Sequence, residues 1–456
     1  MLLLSIGLLL FSASNPYGHS PGSVALGLVA IAVMLAPFTY WTMFTERREV
    51  PYLGLHGIFL AATYGMGGLV YAAGYRGAFA NYLSPSDFFV PLAYSLVSFV
   101  VVSAFYFMSR NKAVFPIPSS IKALPSKVSP DILVAMMLPL ALLAYQIVTK
   151  QQMFSAIVQP VIAIRVFLLV WGSFLFFSGM LRPWQSVVYW LLVAFDVIFN
   201  SGIFSGFFAD IIWYSLYFIV PFLVMRRRIP WLPIILVAVA LFTLNPVKHE
   251  FRSVYSNFKD DREFSSEKIG VMVDLVGKEL SELEMADLKE NFDDFYARVL
   301  LITTYSIAVS DIPENNDFLM GETYLPFFTK FIPRLFWPGK PKHDSSGWAL
   351  EYGYMSANSD AAYRLPLHVE MYLNFGLYGV VGVSAILGLI MGAARATFHH
   401  YSKNPAVSSL GFMVALPFFW AGERFATMFG GVVIQFISVF LFALLVSLIF
   451  GHSVRR

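Results

Sequence analysis

Residues 318–341 read FLMGETYLPFFTKFIPRLFWPGKP, and they interrupt a chain that is otherwise built of long apolar runs. Three cations, Lys330, Arg334 and Lys340, alternate here with Pro333, Pro338 and Pro341. The prolines restrict the backbone and remove N–H donors, so side chains must supply the polar contacts. Phe331, Phe336 and Trp337 have the amphipathic or apolar character of residues at a lipid interface. The stretch therefore reads as a basic, stiffened surface beside a bilayer, suited to holding a lipid-linked anion.

Working outward, the chain as a whole is 58% apolar, 17% aromatic and 13% charged. An ordinary soluble domain carries about twice that charge. The expected fold class is all-α, a polytopic membrane protein. A net charge of +3 gives nucleic-acid binding no electrostatic support. The absence of cysteine excludes disulfides, thiolate metal sites and Cys nucleophiles.

A span needs about 20 apolar residues. Hydropathy places candidates at 1–13, 21–43, 51–73, 87–108, 131–149, 158–180, 184–200, 203–224, 229–244, 366–391, 405–420 and 430–450. Fourteen cations then fall on one side: Arg47, Arg48, Arg110, Lys112, Lys122, Lys127, Arg182, Arg226, Arg227, Arg228, Arg395, Lys403, Arg455 and Arg456. The opposite short connections hold Arg76, Lys150 and Arg424. The positive-inside rule predicts about twelve spans with both termini cytoplasmic. Residues 1–13 read either as a short first span or as a signal peptide ending near Ser12-Ala13-Ser14. No internal repeat is visible, which counts against a transporter built from duplicated halves.

Three units follow: a transmembrane bundle over 1–244, a large extracytoplasmic loop over 245–365, and C-terminal membrane helices over 366–456. Of the 28 acidic residues, 21 lie between Glu250 and Glu370, which marks the loop as water-facing. Ser265 or Ser266 can cap a helix carrying Ile269, Met272, Val276, Leu280 and Leu283 at three- and four-residue spacing. Val299 to Val309 is too short to span and suits an interfacial helix, with Arg298 at its start.

After the loop the chain re-enters the bilayer at Leu365-Pro366-Leu367-His368-Val369-Glu370, following Arg364. An ionisable residue in a membrane helix is costly unless used or paired. Glu370 is thus the first candidate for a general base and His368 the second, with Arg364 or Arg298 as the structural counter-ion of Glu370 in the alternative. Arg165, Asp196, Asn200 and Asp210 fall at similar depth in three spans, as an ion pair or an anion site. Arg424 beside Glu423 can complete a cationic rim. His399-His400 lacks carboxylates at ligand spacing, so no metal is expected there. Gly430-Gly431 reads as a turn before the last span.

Three segments resemble the oligosaccharide repeat-unit polymerases of the O-antigen polymerase (Wzy-like) type. They are Phe318-Leu319-Met320-Gly321-Glu322, Ile332 to Pro341, and Glu370-Met371-Tyr372-Leu373-Asn374-Phe375-Gly376-Leu377-Tyr378-Gly379. The likeness is close over about a third of the chain. It implies a multi-pass protein of the bacterial inner membrane with a GT-C-like fold and a periplasmic active site. It implies a metal-independent, inverting glycosyltransferase without cofactor, acting on undecaprenyl-diphosphate-linked oligosaccharide. Membrane lipid and a chain-length regulator are then the expected partners, and nucleic acid is not.

The chemistry of the residues agrees. A diphosphate leaving group without a metal needs Arg and Lys, and Arg meets it with a two-pronged fork. The cations expected to bind it are Arg298, Lys330, Arg334, Lys340, Arg364, Arg165 and Arg424. An acceptor hydroxyl needs a base, supplied by Glu370 or His368. The alternatives are an O-antigen ligase, using the same donor, and a flippase or transporter of the lipid-linked glycan.

Overall fold

The computed structural model describes residues 20–44, 49–72, 83–111, 116–149, 155–201, 209–254, 266–282, 300–330, 337, 339, 348–349, 352, 365–419 and 422–450. Among them all regular structure is helical, with no strand. The helices are α1 (Pro21–Phe44), α2 (Tyr52–Leu60), α3 (Met66–Ala72), α4 (Phe89–Ser109), α5 (Ser119–Lys122), α6 (Leu124–Lys127), α7 (Pro130–Thr149), α8 (Ser155–Ser178), α9 (Pro183–Asn200), α10 (Ala209–Arg226), α11 (Trp231–Val254), α12 (Ser266–Glu282), α13 (Ile302–Asp311), α14 (Leu325–Lys330), α15 (Leu367–His399), α16 (Pro405–Phe419) and α17 (Phe425–Phe450). A π-helical segment, Ala61–Gly65, joins α2 to α3.

Six of these stretches are long and apolar enough to cross a membrane: Pro21–Phe44, Tyr52–Tyr71, Pro85–Ser109, Gln159–Ser178, Leu367–His399 and Phe425–Ile449. Shorter apolar helices occupy Pro130–Gln146, Trp231–Asn245 and Pro405–Phe419. Large apolar side chains on their outer faces, such as Leu232, Leu236, Leu448 and Ile449, are all more than half exposed. Water would not tolerate that much apolar surface, whereas lipid solvates it. This is an all-α membrane protein. Helices occupy eleven of the twelve stretches expected from hydropathy, and residues 1–13 lie outside the described residues.

Close packing of the bundle rests on glycine. A Cβ at Gly388 would stand 2.3 Å from the Val102 carbonyl oxygen, and one at Gly392 would stand 2.1 Å from the Ser109 hydroxyl. This small-x-x-x-small pair lets the backbones of α4 and α15 touch, the usual device where no hydrophobic force drives helices together. The pairs run Ser98 with Ser384, Gly388 with Val102 and Gly392 with Ser109, so the two helices are parallel. Their basic ends, Arg110 and Arg395, therefore emerge together, and the Arg395 guanidinium donates to the Arg110 carbonyl at 3.3 Å.

Two expectations change. Gly430-Gly431 lies inside α17, not in a turn before it, because the helix begins at Phe425. The bundle–loop boundary at 244/245 falls within α11, which continues to Val254. There Phe251 packs on Met272 of α12, with Leu275 and Val276 around them, so the amphipathic helix read from its spacing covers the end of α11.

Candidate functional site

The α15 helix is broken. Phe375 (φ −146°, ψ 19°) and Gly376 (φ 58°, ψ −141°) leave helical geometry. In a straight helix Met371 and Ser384 would be about 20 Å apart at 1.5 Å per residue. Instead the Ser384 hydroxyl contacts the Met371 sulfur at 3.8 Å. Ser98 of α4 reaches both His368 Nε2 at 3.0 Å and the Ser384 hydroxyl at 2.7 Å. The chain thus climbs through a short buried half-helix, turns at Phe375–Gly376, and descends beside itself. Gly379 permits the return, since a Cβ there would stand 2.0 Å from the Met371 carbonyl.

The segment 318–324 is locked onto this turn. The Leu319 N–H donates to the Leu373 carbonyl at 2.9 Å, and that of Met320 to the Asn374 carbonyl at 3.1 Å. Asn374 Oδ1 accepts from the Gly321 N–H at 2.8 Å, while its Nδ2 donates to Thr323 Oγ1 and the Glu370 carbonyl, each at 2.7 Å. A Cβ at Gly321 would meet the ring of Phe375 at 3.1 Å, and one at Gly376 would meet the ring of Phe318 at the same distance. Each glycine therefore lies under the aromatic ring of the other segment. Both have positive φ, at 95° and 58°, where a side chain would be strained.

Glu370 stands beneath this knot, 0% exposed. One carboxylate oxygen accepts the Phe425 N–H at 2.5 Å. That N–H opens α17, and an anion there meets an orphan donor and the positive end of the helix dipole. The other oxygen, Oε1, has no hydrogen-bond partner among the described residues. The Thr323 hydroxyl stands beside the carboxylate as a donor, and Arg424 lies within electrostatic reach of it. Tyr324 stacks on Phe375 and meets Phe425 edge-on. Burial, with Glu370 adding to it, raises the Tyr324 phenol well above its ordinary value.

His368, two residues earlier, faces the opposite way into the bundle. It lies 4.9 Å from the Tyr64 ring and 6.3 Å from that of His56, centroid to centroid. Tyr64 belongs to the π-helical segment, a local rearrangement common at functional sites. Its hydroxyl, His56 Nε2, His368 Nδ1 and the Tyr305 hydroxyl are buried without hydrogen-bond partners among the described residues. Four such groups close together form a buried polar cluster beneath the knot.

The remaining expected residues fall in three groups. Arg165 is closed into a network: it donates to Asp196 at 3.1 Å and to the Tyr214 hydroxyl at 3.3 Å, and Tyr214 donates to Asp196 at 2.6 Å. Asn200 links Asp196 to the Ala141 carbonyl, both at 3.0 Å, so four helices, α7 to α10, are tied together. The cavity beside Arg165 is about 10 Å³, room for no more than one water. Its hydrogen bonds go to α9 and α10, not to the knot. Arg424 precedes α17 beside Glu370, and Lys330 ends α14. Arg298, Arg334, Lys340 and Arg364 lie outside the described residues. His399 pairs with Glu49, and no group of three metal ligands occurs among the described residues. His56, Tyr64, Ser98 and Thr323 were missed from sequence. His56 and Ser98 could have been flagged as polar residues within apolar spans.

The chain belongs to the family described as Domain of unknown function (DUF8712), which matches residues 119–450. The knot, Glu370 and Arg424 all lie within that match. No curated protein and no solved structure matches the chain.

Proposed function

We propose that this membrane protein polymerises polyprenyl-diphosphate-linked oligosaccharide repeat units into surface polysaccharide, at the periplasmic face of a bacterial inner membrane. The observation that carries the reading is the knot itself. Two of the segments on which the polymerase resemblance rests, 318–322 and 370–379, are hydrogen-bonded to one another across some fifty residues of sequence. Sequence likeness alone does not require them to touch.

In this reading the twelve-span topology puts the knot at the outer membrane surface, at the base of the basic loop. Arg334, Lys330 and Lys340, with Arg298, Arg364 and Arg424, neutralise the diphosphate as the glycosidic bond to it breaks. Fixed positive charge aimed at the leaving group is the largest catalytic contribution expected. The attacking hydroxyl of the acceptor unit loses its proton to the free oxygen of Glu370, and the anomeric centre inverts. The half-helix positions Glu370, and Asn374 fixes the loop above it. Arg165 holds the bundle together.

The break in α15 also favours a second reading, a transporter of the lipid-linked glycan, since many secondary transporters build their sites from interrupted helices. Deletion of the gene followed by gel analysis of the polysaccharide separates the readings. Single-repeat products support the polymerase, full-length unattached polymer a ligase, and cytoplasmic accumulation of lipid-linked units a transporter.

A further inference from the structure

At the other end of the bundle, a helix length from Glu370, a cleft of about 640 Å³ opens between α1 and α4. Aromatic and aliphatic side chains make most of its lining, and Glu49, Arg110 and Arg395 are its charged groups. Tyr40, Trp41 and Phe44 from the last turns of α1 face Tyr106 and Phe107 from the end of α4, with Arg110, Arg395 and Glu49 at the inner edge. Tyr40, Phe44 and Phe107 are more than half exposed, so the walls lie open on the lipid-facing side.

Among the described residues, the charged groups lining the cleft are two guanidinium groups and one carboxylate. A single nitrogen of Arg395, Nη2, donates to both Glu49 carboxylate oxygens, at 3.0 and 3.1 Å. Arg110 lies over the Phe107 ring at 4.8 Å and is exposed. Arg227 stacks on Trp41 at 4.3 Å and donates to its carbonyl at 2.8 Å. Among the described residues that line the cleft, Arg110 and Arg395 thus face the single carboxylate of Glu49. Trp41 is 5% exposed, and its indole N–H has no hydrogen-bond partner among the described residues. A buried donor of that kind costs free energy unless something accepts from it.

We propose that this cleft binds one anionic phospholipid, its phosphate held by Arg110 and the Arg395 edge and its acyl chain laid along Tyr40, Phe44 and Phe107. A soluble anion would have no use for the exposed aromatic walls, and a zwitterionic lipid would leave the cationic excess unanswered. Basic pockets between membrane helices at the leaflet with negative surface potential are the usual place for such a lipid. The Trp41 N–H would donate to a phosphate or ester oxygen. The proposal is independent of the glycan chemistry at the opposite end.

The test is native mass spectrometry of the purified full chain, titrated with phosphatidylglycerol, phosphatidylcholine or inorganic phosphate. One tightly retained phosphatidylglycerol is expected, with phosphatidylcholine and phosphate retained far less. Arg110→Gln, which leaves the carbonyl bonded by Arg395 in place, should weaken retention about fivefold, the value of roughly 1 kcal/mol per interfacial cation. Trp41→Phe, which keeps the ring and removes the N–H, should weaken it as well. Equal retention of the two lipids, displacement of the lipid by inorganic phosphate, or unchanged retention in a folded Arg110→Gln protein would overturn the proposal.

Discussion

Replacing Glu370 with Gln keeps the side chain's shape and removes its charge. The structural loss can be worked from the contacts. The Phe425 N–H, now 2.5 Å from a carboxylate oxygen, would donate to a neutral amide oxygen instead. A hydrogen bond to a charged group contributes about 1.5–3 kcal/mol and a neutral one about 0.5–1.5. The favourable meeting of an anion with the start of α17 adds about 0.3–1 kcal/mol. Relief from burying a charge offsets part of this, because Glu370 is 0% exposed. The net expectation is a loss of about 1–2 kcal/mol, seen as a fall of no more than a few degrees in melting temperature. A general base, by contrast, is worth about 10²–10⁴ in rate. Donor binding, melting temperature and single-turnover transfer measured on one Glu370→Gln preparation therefore separate the roles. Intact binding with turnover down by about 10² or more supports the base. A folded variant with normal turnover would refute the reasoning about Oε1, and lost donor binding with a large melting shift would make Glu370 an anchor for α17 alone.

Arg334→Ala is expected to abolish polymer while expression and insertion persist, with Arg334→Lys rescuing weakly because a point charge lacks the fork; wild-type chain lengths on a gel would remove Arg334 from the site. Purified protein treated with a strong chelator should still extend a lipid-linked repeat unit, and a loss restored by magnesium or manganese would sink the cation-only scheme. Gly376→Ala places a side chain at φ 58°, ψ −141° and 3.1 Å from the Phe318 ring. A strain of about 1–3 kcal/mol should loosen the knot and raise protease cleavage near residue 320; unchanged cleavage and activity would show that the turn tolerates it. Asp196→Ala leaves Arg165 buried and uncompensated, so stability should fall by about 3–5 kcal/mol. The double variant Arg165→Met/Asp196→Leu should recover stability and activity together, and a stable but inactive double variant would return Arg165 to the chemistry.

Much of the architecture was legible because membrane helices announce themselves locally. Each apolar run is its own signal, and the amphipathic spacing around Met272 located α12 without any knowledge of its partner. The charges at Arg110, Arg227 and Arg395 could be assigned to one side by counting, and the parallel packing of α4 on α15 brings Arg110 and Arg395 to one end. Glu370 and Asn374 could be noticed, since polar groups in an apolar run stand out.

What tertiary structure alone decided was direction. Hydropathy averages over windows of residues and reports no dihedral angle, so the stretch 366–391 reads as one continuous span. The reversal at Phe375–Gly376 depends on two residues leaving helical geometry and on Phe318 arriving from the loop to pack on Gly376. Residues two apart on a helix face opposite ways, so His368 points into the bundle while Glu370 points toward α17. Tertiary structure also decided Arg165, whose sequence depth allowed an anion site and whose packing against Asp196 and Tyr214 closed it. Contacts between residues fifty positions apart follow from the packed whole, because no local preference carries them.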